Sequence, residues 1–239
     1  MPTRSTGGSP SGQPEPPVWA AREGSHLQLR QEQQARLTQL LDRARGFGFF
    51  GPGPVEEHLA RSLAFAAFVT GPPLRAADLG SGGGVPALVL AVLWPGSEWV
   101  LVESNQRRAE WLRHAVADLG LEDRCTVVCD RAETVARTEL RHACDLVTAR
   151  SFAPPGTTAE CAAPLLRLGG ELLVAEPPEG EATLRWAPEG LLKLGLRLRA
   201  LGSVVTSAGP AQIAALACIE LAGDRYPRRV GIPSKRPLF

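Results

Sequence analysis

The chain has 239 residues, 44% of them hydrophobic and 21% charged, and a formal net charge of +1. That length fits one medium domain with extensions and a sizeable core, and the composition is ordinary for a soluble globular protein. The near-neutral balance excludes a global field that would attract polyanions. Arginine supplies nearly all the positive charge, Lys193 and Lys235 being the only lysines.

Residues 1–25 are rich in Pro, Gly and Ser, lack the apolar core of a signal peptide, and read as a disordered tail. His26 to Arg45 carries leucines at 27, 37, 40 and 41 among Gln and Arg, the pattern of an amphipathic helix. Glycines and prolines at 46–54 break it. A second helix is predicted over Val55 to Val69, so residues 26–70 form a helical extension. From 71 to 223 strand and helix alternate. Strands are predicted over 74–79, 98–103, 125–129, 144–149, 170–176, 196–206 and 212–221, the last two as an antiparallel hairpin at the sheet edge. Helices are predicted over 85–94, 105–119, 131–141, 157–168 and 180–194. Such alternation gives right-handed crossovers and an α/β fold, a mainly parallel sheet with helices on both faces.

Residues 224–239 close the chain as a basic tail, five cations against one acid, too rich in proline for a helix. The cysteines at 125, 129, 144, 161 and 218 are scattered, mostly in apolar runs, and are expected to be buried, reduced thiols in a cytoplasmic protein. No apolar run reaches the roughly 18 to 20 residues that span a bilayer.

The most informative stretch is Arg75-Ala76-Ala77-Asp78-Leu79-Gly80-Ser81-Gly82-Gly83-Gly84-Val85-Pro86. It reads as a strand ending in a glycine turn that opens a helix, where missing Cβ atoms let backbone approach a nucleoside or nucleotide. Val85 stands where the third glycine of a dinucleotide-binding turn would be. Asp78, two residues before the first glycine, is a poor neighbour for a pyrophosphate and a good one for an ammonium group. The ligand indicated is therefore S-adenosylmethionine (SAM). Glu103 ends the next apolar run, where a carboxylate accepts hydrogen bonds from ribose hydroxyls. A bare tight turn followed by a helix-capping acid would need no ligand, but strand, glycines, helix, strand and acid stand here in nucleoside-binding order. Ligands of open α/β sheets bind at the carboxyl ends of the strands, which gathers Asp78, Gly80, Glu103, Asp130–Glu133 and Arg150 at one crevice.

Four segments then resemble the RsmG (GidB) methyltransferases: Asp78 to Pro86, Val102 to Arg113, Asp130-Arg131-Ala132-Glu133, and Val147-Thr148-Ala149-Arg150. The segments Val55 to Leu63 and Tyr226 to Pro237 are similar to that family as well, so the likeness covers about residues 55–239. The resemblance implies a class I methyltransferase Rossmann-like fold of seven strands. It also implies methyl transfer from SAM to N7 of a guanine in 16S ribosomal RNA. Asp78, Gly80, Gly82, Val85, Glu103, Ala132, Glu133 and Arg150 would then hold the cofactor, with Ala132 and Glu133 at the adenine. Arg150 would serve catalysis where cofactor and base meet, and Arg131, Phe152, Arg228, Arg229, Lys235 and Arg236 would contact RNA. The implied partner is 16S rRNA or the small subunit, met by a monomer without membrane or metal. Two departures stand out. Ala175-Glu176-Pro177 replaces a Leu-Lys-Gly usual in the family, an anion for a cation at the substrate mouth, and Gly51-Pro52-Gly53-Pro54 replaces an Asn-Leu-Thr segment. A methyltransferase of the same fold acting on a small molecule, and a SAM-binding protein without catalysis, are the alternatives.

Guanine N7 carries an in-plane lone pair and no proton, so the reaction needs alignment rather than a general base. Phe152 suits stacking on an extruded base, or packing within its loop. Arg150 positions rather than donates protons, since a guanidinium does not deprotonate. The histidines at 26, 58, 114 and 142 have no metal-ligand spacing with one another, and His58 and His114 read as helix residues held by a surface or core hydrogen bond.

Overall fold

The computed structural model describes residues 28–51, 53–177 and 185–239. The tail expected over 1–25 lies outside the described residues, as do the start of the helix expected over 26–45 and most of the first half of that expected over 180–194.

Among the described residues one sheet of seven strands has the order β3-β2-β1-β4-β5-β7-β6. Its strands are β1 (Arg75–Leu79), β2 (Glu98–Val102), β3 (Cys125–Val128), β4 (Cys144–Ala149), β5 (Leu166–Glu176), β6 (Leu196–Thr206) and β7 (Gly209–Cys218). The pairs among β1 to β5 are parallel, and β7 runs antiparallel to both β5 and β6. Successive side chains of a strand point to opposite faces, and the sequence alternates accordingly. Ala77, Val100, Val102, Val147, Leu172 and Val174 enter one core, while Ala76, Trp99, Leu101, Leu146 and Leu173 enter the other. Both faces are apolar, as a sheet covered on both sides requires.

The helices are α1 (Gln31–Gly46), α2 (Val55–Leu63), α3 (Ala87–Leu93), α4 (Gln106–Leu119), α5 (Ala132–Val135), α6 (Pro155–Ala162), α7 (Pro188–Leu192) and α8 (Ile232–Lys235). Helix α3 is Ala-Leu-Val-Leu-Ala-Val-Leu, apolar on every side, and its first five residues are buried. That is the signature of a helix covered all round. The sheet covers one side, and Leu37, Leu41, Val55 and Leu59 of α1 and α2 cover the other around Val89. The helical extension is thus docked on the domain.

Several expected elements differ. The helix expected over 55–69 gives way after Leu63 to a tight 3-10 turn, Ala64–Phe68, which buries Phe65 and Phe68 three residues apart. The helix expected over 131–141 stops at Val135. Thr138 turns its hydroxyl onto the Val135 carbonyl at 2.8 Å, the local competition that threonine offers a helix. The strand expected over 170–176 begins at Leu166, directly after a 3-10 turn. The strand expected over 212–221 is shifted to 209–218. The closing segment does contain a helical turn, α8, because proline is tolerated in the first turn, where its missing N–H has no partner anyway. Of the five cysteines, Cys129 is exposed, against expectation, and the other four are buried.

Candidate active site

The sheet order reverses between β1 and β4, whose carboxyl ends open a crevice. The glycine turn is pinned to the end of β2: the Gly80 and Ser81 amides donate to the Val102 carbonyl at 2.8 and 3.1 Å. Glu103 then accepts the Gly82 amide at 2.9 Å on Oε2 and the Asn105 amide at 2.8 Å on Oε1. Asn105 caps α4 by accepting the Arg108 amide at 3.1 Å. Glu103 is thereby held rigid, and each of its oxygens keeps a lone pair for a hydroxyl. Gly80, at φ 67°, can carry no side chain, since a Cβ there would stand 2.8 Å from the Phe152 ring. Gly83 is equally constrained from outside, where the Phe50 ring would lie 2.4 Å from a Cβ.

The crevice measures about 300 Å³. Gly80, Glu103, Arg108, Asp130, Arg131, Ala132, Glu133, Phe152 and Ser234 are among its walls. Next to the glycine turn, near the end of β1, lies Asp78, 1% exposed. Thr148 Oγ1 donates to Asp78 Oδ1 at 2.6 Å, while Oδ2 is buried without a hydrogen-bond partner. Burial pushes this carboxyl up to about 7, against the pull of Thr148 and Ser81. A buried acceptor without a donor is costly, and a cationic ammonium group is the complement it lacks. The rigid Glu103 carboxylate, the Gly80 cradle and the orphaned Asp78 oxygen together fit a nucleoside carrying an amino-acid cation, which is SAM.

A second cavity of about 350 Å³ lies across Phe152. Arg61, Phe65, Arg150, Glu176, Arg185 and Gln212 are among the residues lining it, and Ser151, Phe152 and Ala153 line both spaces. The partition exists because the chain leaves β4 through Ser151 in the left-handed region, φ 54°. A non-glycine residue held there is a form of strain that clusters at functional sites. Arg150 is fixed by His58, its Nη2 lying 2.7 Å from Nδ1. Arginine can only donate, so Nδ1 accepts and the imidazole is neutral; burial and the Arg150 charge lower its pKa. Burial also lowers Arg150 to about 10, helped by Arg61 and opposed by Asp78. The His58 ring stacks on Phe50 at 4.9 Å, so one aromatic contact links the arginine to the glycine turn.

The residues named from sequence divide as follows. Gly80, Glu103, Arg131, Ala132, Glu133 and Phe152 converge on the crevice; Gly82 lies in the turn, bonded to Glu103, and Asp78 lies in β1 just before it. Arg150 faces the second cavity. The Val85 side chain is turned away, buried with Leu37, Leu41 and Val89 against the extension, because the turn carries apolar groups inward as it becomes α3. Glu133 is 3% exposed and accepts the Gly231 amide at 2.8 Å, so its carboxylate ties down the closing segment. Arg228 is likewise committed: Nε and Nη2 donate to the two oxygens of Glu160 at 2.8 and 2.6 Å, and Glu160 is 0% exposed. Such a pair belongs to the fold rather than to RNA, whereas Arg229, Lys235 and Arg236 are exposed. The anion expected at the substrate mouth, Glu176, is buried and paired with Arg185. Missing from the sequence reading were Arg61, Thr148, Arg185 and Ser234, and the link from His58 to Arg150. Arg61, Thr148 and Ser234 stand inside family-like segments, but nothing in those segments says that their side chains reach the site, and Arg185 lies outside all of them.

Among the described residues no helix is long and apolar enough to cross a membrane, and no group of His, Cys, Asp or Glu is arranged to hold a metal ion.

Comparison with known proteins agrees with this geometry. The family model GidB, rRNA small subunit methyltransferase G, matches residues 54–195. Ribosomal RNA small subunit methyltransferase G of Syntrophomonas wolfei is 36% identical over 194 residues, covering 78% of this chain and 87% of that protein. The protein of the same name from Rubrobacter xylanophilus is 35% identical over 232 residues, 92% of this chain and 87% of its own length. An O-methyltransferase from Bacillus cereus, solved with SAH, shares the fold with a TM-score of 0.56 at 17% identity, covering 77% of this chain and 90% of that one. A likeness so distant speaks for the class I methyltransferase architecture alone. With the family match over most of its domain and the SAM-shaped crevice, the chain belongs to the GidB family of ribosomal RNA small subunit methyltransferases.

Proposed function

We propose that the chain methylates N7 of a guanine in 16S ribosomal RNA, using SAM and working as a cytoplasmic monomer without a metal. The observation that carries this reading is the shared wall: Phe152 and its neighbours separate a nucleoside-shaped crevice from an arginine-lined cavity. SAM supplies a methyl group already activated by its sulfonium. Asp78 and Glu103 hold the cofactor's ammonium and ribose, and the Ala132 region borders the adenine. On the other side Phe152 stacks on the extruded base, and Arg150, aimed by His58, orients it. N7 presents a lone pair and no proton, so no residue here has to act as a base, and alignment provides the rate enhancement. Residues 71–223 make up the catalytic domain. The extension over 26–70 contributes His58 and Arg61 to the substrate side, and the segment 224–239 contributes Ser234 to the cofactor side.

The test is methyl transfer from labelled SAM to small subunits and to bare 16S rRNA from a strain lacking the modification. One labelled N7-methylguanine is the expected product. Tight SAM binding with no labelled rRNA would overturn the reading.

A further inference from the structure

The far wall of the substrate cavity is built around a buried carboxylate. Glu176 ends β5 with its side chain 1% exposed. Its Oε1 accepts Trp186 Nε1 at 3.0 Å, and its Oε2 is paired with Arg185 Nη1. Trp186 is itself 1% exposed, so the backbone beside Arg185 is anchored as firmly as the side chain. Arg185, by contrast, keeps 36% of its side chain exposed where it lines the cavity. Among the described residues its remaining N–H groups make no hydrogen bond.

A buried ion pair adds little net stability by itself, because desolvation offsets the attraction. This one has a directional result: one nitrogen of a rigid five-donor fork, Nη1, is clamped, while the side chain stays 36% exposed along the cavity lining. Arg61, which is also 3.6 Å from Glu57, and Arg150 line the same space, so three guanidiniums face it and the one carboxylate in its lining is already satisfied. A cavity with that excess suits an anion, and the fork matches the paired oxygens of a phosphate.

We propose that Arg185, aimed by Glu176 and Trp186, binds the backbone phosphate beside the target nucleotide, a role that rests on the rRNA reading above. Arg150 and Phe152 handle the base, and Arg185 fixes the strand that delivers it. Glu176 is then a positioning residue, and the anion it adds to the sequence leaves the cavity positive.

The test measures affinity for a 16S rRNA fragment against salt concentration for the wild type, Arg185→Ala, Glu176→Gln and the double variant, with SAM affinity measured alongside. Arg185→Ala is expected to weaken RNA binding about tenfold, the scale of one hydrogen bond to a charged group. It should also flatten the salt slope by about one unit, the loss of one phosphate contact. SAM affinity should hold. Glu176→Gln should fall between wild type and Arg185→Ala, and the double variant should match Arg185→Ala. Recovery of wild-type affinity in the double variant would overturn the proposal, because it would mean that Arg185 serves only to neutralise Glu176. An unchanged slope and affinity in Arg185→Ala, in a protein that still methylates rRNA, would overturn the proposal and leave the function standing. A wild type that binds SAM but neither binds nor methylates rRNA would remove both.

Discussion

Phe152 divides two spaces of similar size, about 300 and about 350 Å³, that are assembled on different plans. The cofactor crevice is held largely by backbone: Gly80 and Ser81 amides on Val102, and Gly82 and Asn105 amides on Glu103. These partners fall within 26 positions of one another, from Gly80 to Asn105. The proposed substrate cavity is made of long side chains drawn from across the chain: Arg150, Arg185 and Gln212 meet because β4, β5 and β7 are neighbours, and Arg61 joins them because α2 is docked on the domain. A site built from backbone needs glycines and an acid at fixed spacing and so writes a motif. A site built from side chains needs only that the fold bring them together.

The largest expected effect breaks the crevice and spares the cavity. Arg228→Ala would strand the fully buried Glu160, and removing one partner of such a pair destabilises by about 3–5 kcal/mol. Thermal unfolding should fall by many degrees, and SAM affinity should fall with it because Gly231, bonded to Glu133, and Ser234, in the crevice wall, follow Arg228. Arg229→Ala, at an exposed position, should leave the melting temperature where it was. Equal losses in the two variants would mean that the tail is not divided as described.

The converse experiment is Arg150→Ala. It should lower single-turnover transfer to rRNA about 100-fold, the scale of a misaligned reactant, while SAM affinity stays within about threefold. An unchanged rate would remove Arg150 from the alignment; a matching loss of SAM affinity would merge the two compartments.

A pH-dependent effect sharpens the comparison beside the glycine turn. Asp78 is raised to about 7 in the folded protein, against about 3.9 in an unfolded chain. The folded state therefore holds the proton more tightly. The stability this contributes is complete below about pH 4 and is lost as pH rises to about 7. Asp78→Asn removes the titration. Without cofactor, the variant's melting temperature relative to the wild type should rise between pH 4 and 7 and level off above that. Its SAM affinity should be lower than the wild type's at pH 8. A pH-independent difference would show that Asp78 does not titrate in this window.

The sheet was largely legible because its strands alternate apolar residues between glycines and prolines. Glu103 and Gly80 were legible because spacing alone places them. Which way the Val85 side chain turns was not legible, because its position in the motif says nothing about that. The Arg228 and Glu160 pair, 68 positions apart, was invisible because nothing local marks either residue as buried. Glu176 read as a misplaced anion because Arg185, nine positions on, neutralises it only in three dimensions.

The two amide contacts on Glu103 also bear on how the cofactor arrives. A flexible glutamate would surrender rotamer freedom on binding, which for a side chain of this kind opposes association by about 0.5–1.5 kcal/mol. Here that ordering is completed during folding, when Gly82 and Asn105 fix both oxygens. For a ribose held as proposed, that side of the crevice is preorganised: the acid is already fixed before binding, and the entropy of holding it in place is absent from the binding equilibrium.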